Sequence, residues 1–203
     1  MAYTDFTLES AERELGITPH RRILFPHLQP APVPPWLREA LNYGTQLALL
    51  SEKARSEFIV APILVAVRKL SGERISILSG ERLDVDAARK LMGECDFILS
   101  LSEPLPLLRA PLLTIVEAKR HDIESGLGQC AAQMVAVQIF NERSGQVLPA
   151  AYGCVTTGEA WQFLRLAGTE LTLDQNRFYL DNVGAILAAF LAAIPDAKAT
   201  VGG

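Results

Sequence analysis

A chain of 203 residues, 49% hydrophobic and 21% charged, is long and apolar enough for one domain with a sizeable core, which excludes general disorder. Its formal net charge of −4 excludes bulk attraction to a polyanion, so any contact with nucleic acid must use a local patch or a metal. The three cysteines, Cys95, Cys130 and Cys154, form no CxxC and sit in apolar surroundings, the pattern of reduced, buried small hydrophobes. Met1 to Phe6 carries no signal-peptide pattern, and no apolar run reaches the ~18–20 residues needed to span a bilayer. The expectation is a cytoplasmic protein without a membrane partner.

Residues 1–35 read as a Pro-rich N-terminal arm. Leu8 to Leu15 has the spacing of a short helix, after which Pro19, Pro26, Pro30, Pro32, Pro34 and Pro35 are expected to prevent regular structure. Such an arm would wrap the domain or mediate a contact between subunits. Residues 36–195 form the single domain, and residues 196–203 a frayed tail.

Trp36 to Leu50 returns to helical spacing, with Trp36, Leu37, Ala40, Leu41, Leu47 and Leu50 apolar. Ser51 can cap a second helix running to Leu70, and Pro62 within it implies either a kink or a start near Ala61. Ile75 to Ser79 reads as a strand, and Leu83 to Met92 as either a strand with a helical turn or a loop. Asp96 to Leu101 and Leu112 to Lys119 are two more strands. Asp122 offers an N-cap for a long helix from Ile123 to Arg143, ended by Ser144-Gly145, with Leu127, Cys130, Met134 and Val137 on its apolar stripe. Ala150 to Thr157 and Ala160 to Leu166 form a hairpin around Thr157-Gly158-Glu159, and Thr169 to Leu173 adds a strand. Asp181 begins a C-terminal helix that Pro195 ends. This order predicts an α/β (α+β) fold, a mixed central sheet flanked by helices.

The charged positions fall in an ordered set: Glu57, Asp96, Glu117 with Lys119, then Gln129 with Gln133. In Leu112 to Lys119 the strand period of two would put Leu113, Ile115, Glu117 and Lys119 on one face, so a core face ends in a carboxylate and an ammonium. Burying such charges is costly unless they are paired or hold a metal. Asp96 and Glu117 lie on strands separated by one connection and can converge. Lys119 can then place positive charge beside developing phosphorane charge, and Glu57 can add a carboxylate. Gln129 and Gln133, at i and i+4, share a helix face and could position substrate or water, with Ser125, Gly126 and Gly128 leaving open space around Gln129.

This order resembles the PD-(D/E)xK nuclease superfamily, the restriction-endonuclease-like fold, over residues 51–166. Ser56 to Leu64 is similar to the acidic first core helix, Gly93-Glu94-Cys95-Asp96-Phe97 resembles the strand bearing the metal-binding Asp, and Val116-Glu117-Ala118-Lys119 resembles the strand carrying the ExK half-motif. Cys95 stands where the motif's name has proline. The resemblance implies an αβββαβ core and a Mg²⁺-dependent nuclease, with Mn²⁺ as a substitute. Asp96 and Glu117 would be metal ligands, Lys119 the catalytic lysine and Glu57 an accessory carboxylate.

Plainer readings exist for each residue. Glu117 and Lys119 could be a simple ion pair, Asp96 could cap a turn, Glu57 stands four residues after Lys53, and the glutamines could form a solvated face. The histidines have no ligand spacing: His20 and His27 lie in the arm as exposed residues, and His121 with Lys119 and Arg120 makes a short basic stretch. No Walker A loop, GxGxxG, GxSxG elbow or zinc cluster occurs. The functional expectation is a metal-dependent endonuclease-like hydrolase acting on nucleic acid, with DNA the expected substrate, acting as a homodimer through the arm or terminal helices. The alternative is a nuclease-fold module without turnover that binds nucleic acid or a protein.

Overall fold

A computed structural model describes residues 2–48, 51–105, 107–119 and 122–194. Among these, eight strands form one open mixed sheet in the order β1-β7-β6-β5-β4-β3-β2, with β8 (Phe178–Tyr179) pairing β6 off that path. The strands are β1 (Thr18–Arg22), β2 (Ser76–Arg82), β3 (Glu94–Ser100), β4 (Leu112–Ala118), β5 (Ala151–Thr156), β6 (Ala160–Ala167) and β7 (Glu170–Asp174). β1–β7 and β4–β5 are parallel, and the other pairs are antiparallel. No helix among the described residues is long and apolar enough to cross a membrane.

Each face of the sheet carries its own core. On one side α1 (Leu8–Leu15) and α5 (Glu124–Arg143) bury Tyr3, Phe6, Leu15, Ile115 and Met134. On the other, α2 (Pro35–Leu47), α4 (Ala61–Leu70) and α6 (Val183–Ala193) bury Leu37, Ile63, Val67, Trp161, Phe163 and Phe190. Edge-to-face rings tie this second core together, Phe163 standing 4.9 Å from Phe190 and 5.6 Å from Phe25.

The arm is more regular than its prolines suggest. Thr18–Arg22 joins the sheet as a strand, because β1 lies at its edge and Pro19 there gives up an N–H that a central strand would need. Pro34 and Pro35 start α2, where a missing N–H costs nothing. Tyr3, Phe6, Ala11, Leu15 and Ile17 are core residues. His27 is exposed, whereas His20 is half-buried against Glu170.

Ser51 caps the following helix, accepting from the Ala54 N–H, and α4 starts at Ala61, as one alternative for Pro62 had it, although the helical run continues into it. A short α3 (Glu52–Arg55) passes into a π-helical segment (Ser56–Val60) and then into α4, with Pro62 in the first turn of α4. The wider π turn absorbs the proline without ending the helix. β2 is shifted toward Arg82, Leu83 to Met92 is a loop closed by an Asp86–Leu91 bridge, and Asp181 falls in a 3₁₀ turn before α6. Pro195 and the tail lie outside the described residues, as do Leu50, Arg120 and His121.

The face predicted for β4 needs one correction. Leu99 pairs with Thr114 but Ser100 pairs with Leu112, so Leu113 is bulged out of register. Leu113 therefore packs into the α2/α4/α6 core, while Ile115 faces α5. The alternation holds from Ile115 to Glu117 and fails one step earlier.

Candidate functional site

Glu117 lies at the C-terminal end of β4, is 2% exposed, and is held by three donors. Lys119 Nζ (2.9 Å) and Gln129 Nε2 (2.5 Å) donate to its Oε1, and Gln133 Nε2 (3.0 Å) donates to Oε2. Lys119 Nζ also donates to Gln129 Oε1 at 2.9 Å, which closes a triangle of Glu117, Lys119 and Gln129. The Lys119 backbone is pinned by its N–H to the Thr156 carbonyl of β5 at 2.7 Å. Parallel pairing of β4 with β5 thus fixes where the ammonium begins.

The glutamines reach Glu117 because α5 lies unusually close to the sheet. A Cβ on Gly126 would stand 2.6 Å from Val155 Cγ1 and 3.1 Å from Lys119 Cε. On Gly128 it would stand 2.2 Å from the Thr7 carbonyl carbon. These glycines therefore leave no open space around Gln129, contrary to expectation; Gly126 admits the Val155 and Lys119 side chains and Gly128 the Phe6–Leu8 backbone. Gln129 and Gln133 are buried and donate to Glu117, and Gln133 Oε1 is a buried acceptor without a partner among the described residues. They orient the carboxylate.

Asp96 is placed by the parting of two strands. The β3–β4 ladder runs to the Phe97–Val116 pair, and beyond it the Ala118 N–H turns to Asp96 Oδ2 at 2.7 Å. The side chain thereby takes over a bond that the neighbouring backbone would otherwise make. Asp96 also lines a cleft of about 500 Å³ with Glu52, Lys53, Ser56, Glu57, Gly80 and Glu94. Glu117 looks toward α5 and Asp96 toward this cleft, so the two carboxylates meet at the seam between strands. They do not share an open face.

Electrostatics links the groups across the seam. Burial, then the charge of Asp96, pushes Glu117 from 4.5 up to about 7, against the pull of Lys119 and Gln133. Burial likewise raises Asp96, opposed by the Ala118 N–H and Lys119 and reinforced by Glu52 and Glu94. Burial disfavours the Lys119 ammonium, but the adjacent Glu117 carboxylate outweighs it and its pKa ends above the ordinary value. Among the described residues no group of three or more His, Cys, Asp and Glu side chains is arranged to hold a metal ion.

Glu57 is placed differently from the expectation. It is exposed, pairs with Lys53 at 3.8 Å, and reaches the cleft lining without touching Glu117. Glu52, five residues earlier, acts on both Asp96 and Lys119, and sequence reasoning missed it. Its only signal was the first-turn position after the Ser51 cap, a common place for an acidic residue. All three cysteines are free and buried, with thiol pKa values pushed up by burial.

No protein-family model matches the chain, and comparison with curated proteins finds no match.

Proposed function

We propose that this chain is a divalent-metal-dependent hydrolase of the PD-(D/E)xK nuclease kind, acting on phosphodiester bonds of nucleic acid, with DNA as the first substrate to test. The observation that carries the reading is the contact of a buried carboxylate, Glu117, with the Lys119 ammonium at 2.9 Å, where Asp96 adds a second charge. A buried ion pair with its neighbours satisfied gives little net stability, and perturbed carboxylates at a cleft are functional-site candidates. The element order adds support. The helical run α3–α4 is followed by the antiparallel β2–β3–β4, then α5, then β5 parallel to β4, an αβββαβ sequence.

The donor set fits a hydrated Mg²⁺ or Mn²⁺, which takes one or two carboxylates and completes its shell with water and substrate phosphate; it does not fit an all-protein cage. Asp96 and Glu117 would hold the ion from the two sides of the seam between β3 and β4, and its positive charge would offset the burial and the Asp96 charge that lift Glu117. When bound, such an ion polarises a phosphoryl oxygen and acidifies water. Lys119 stays protonated at Nζ through the neutral range and offers fixed positive charge to the phosphoryl oxygens. Gln129 accepts from that ammonium and donates to Glu117, which keeps the pair from rotating apart. Gln133 holds Glu117 Oε2 and the Ala118 N–H holds Asp96 Oδ2.

A nuclease-fold module without turnover is the second reading, and one observation favours it. Both Glu117 oxygens already accept hydrogen bonds, and the adjoining cleft presents Glu52, Glu57, Glu94 and Asp96 against Lys53, a field that repels phosphate. The test is calorimetric titration with Mg²⁺ or Mn²⁺, wild type against Glu117→Ala, with nicking of supercoiled plasmid followed in the same samples. The enzyme reading expects both signals in the wild type and neither in the variant. Lys119→Met should bind metal and lose nicking by roughly 100-fold or more. Binding without cleavage in the wild type assigns the module, and a wild type that binds neither ion sinks the metal-dependent reading.

A further inference from the structure

Helix α2 carries two apolar stripes, and the fold uses one of them. Leu37, Leu41, Gly44 and Ala48 recur at intervals of four, three and four residues and are buried. A Cβ on Gly44 would lie 2.2 Å from the Phe58 carbonyl oxygen, so α2 rests directly on the π-helical segment through this stripe. Trp36, Ala40, Tyr43 and Leu47 repeat the same intervals one residue back, Ala40 half-buried and the other three exposed. Tyr43 is 60% and Leu47 59% exposed, and Trp36 is exposed with Lys69 Nζ 5.4 Å from its ring centroid. Phe58 and Val65 are exposed as well, on the segments α2 packs against. These side chains, five of them large, belong to three packed helical segments, α2, the π-helical segment and α4, on the sheet face that bears α4 and α6.

We infer that the outward stripe of α2 is the contact surface of a symmetric homodimer in which two α2 helices cross antiparallel. Two properties choose a second copy as the occupant. With the two-fold axis beside residues 41 and 42, Tyr43 falls opposite Ala40 of the second copy and Trp36 opposite Leu47. Each large ring then meets a smaller side chain, the alternation that lets facing helices interdigitate. A parallel pairing would set Tyr43 against Tyr43 and Trp36 against Trp36. The area is also of the right order. On the ~150–250 Å² that an aromatic side chain presents, the five large side chains expose roughly 450 Å² per copy. The polar Glu39 and Gln46, which border the stripe on α2, bring the total of the two copies toward the ~1,200 Å² lower bound of a specific interface. The surface is isologous, as a closed two-fold pair requires. This interface is independent of the nuclease reading and differs from the arm and terminal helices that the sequence suggested.

Sedimentation of the full chain over a concentration series tests the interface. The wild type should show a reversible species of twice the chain mass, and Tyr43→Lys and Leu47→Lys should each weaken it by roughly 30-fold or more while circular dichroism stays unchanged. Orientation is read by disulfide trapping, for which the native cysteines, all buried, give a quiet background. Mixed Ala40→Cys and Tyr43→Cys chains should cross-link to each other, and Tyr43→Cys alone should not. A wild type that stays monomeric throughout, or a dimer that both lysine variants leave intact, overturns the proposal. Efficient self-cross-linking of Tyr43→Cys overturns the antiparallel arrangement.

Discussion

Replacing Glu117 by Gln preserves the shape of the side chain and removes its titration, so the variant isolates what the buried charge does to stability. In the folded protein burial and Asp96 hold Glu117 at about 7, against 4.5 for the free group. A carboxyl whose folded pKa exceeds its unfolded value binds more protons in the native state. Metal-free wild type therefore loses stability as pH rises from about 4.5 to about 7, and loses no more above that. At ~1.4 kcal/mol per pKa unit this interval corresponds to about 3 kcal/mol. Urea unfolding of both proteins from about pH 4.5 to about pH 8 reads the effect as a difference, in which the carboxyls common to both largely cancel. The wild type should lose about 3 kcal/mol relative to Glu117→Gln across that range, and Mg²⁺ at the alkaline end should return part of the loss to the wild type alone. A difference constant within ~0.5 kcal/mol, or one that moves toward the wild type as pH rises, would refute the account of Glu117 as a buried, penalised carboxylate.

Gly128→Ala gains about 1 kcal/mol of helix propensity but drives a methyl into the Phe6–Leu8 backbone, 2.2 Å from the Thr7 carbonyl carbon, at a cost of ~1–3 kcal/mol or more. Thermal unfolding should show a lower Tm, and a rise would mean that α1 yields easily. Glu52→Gln should weaken Mg²⁺ binding roughly three- to ten-fold in calorimetric titration, the scale of one partly solvated charge near Asp96, whereas Glu57→Gln should stay within roughly two-fold. Equal effects would remove the distinction drawn between the two residues.

What the sequence revealed of the site was its interruption of a pattern. Glu117 and Lys119 end an apolar run, and Ser51 marks a helix start without tertiary information. The i,i+4 relation of Gln129 and Gln133 also survives, but their burial does not follow from it. Burial depends on α5 lying against the Thr7 backbone and Val155, contacts remote in sequence that Gly126 and Gly128 permit. The Leu113 bulge was hidden because a one-residue slip alters no residue type. Thr18–Arg22 was hidden because its strand character comes from β7. The role of Glu52 rather than Glu57 is set by how the α3–π–α4 run presents its turns to the cleft, and a π turn rotates every residue after it relative to those before.

The pairing of β1 with β7 joins two segments far apart in sequence: His20 and Glu170, in contact, stand 150 residues apart. A chain emerging from the ribosome can build β2–β3–β4, and then α5, from near neighbours, and can seat α1 on α5 once Arg143 is out. It cannot seal its first strand until Asp174 has been made. Closing so long a loop late is slow, and while it stays open the newly made β7 edge is a template for other chains. Shielding during synthesis therefore matters most as Glu170–Asp174 emerges, when Thr18–Arg22 has waited longest and its partner has just appeared.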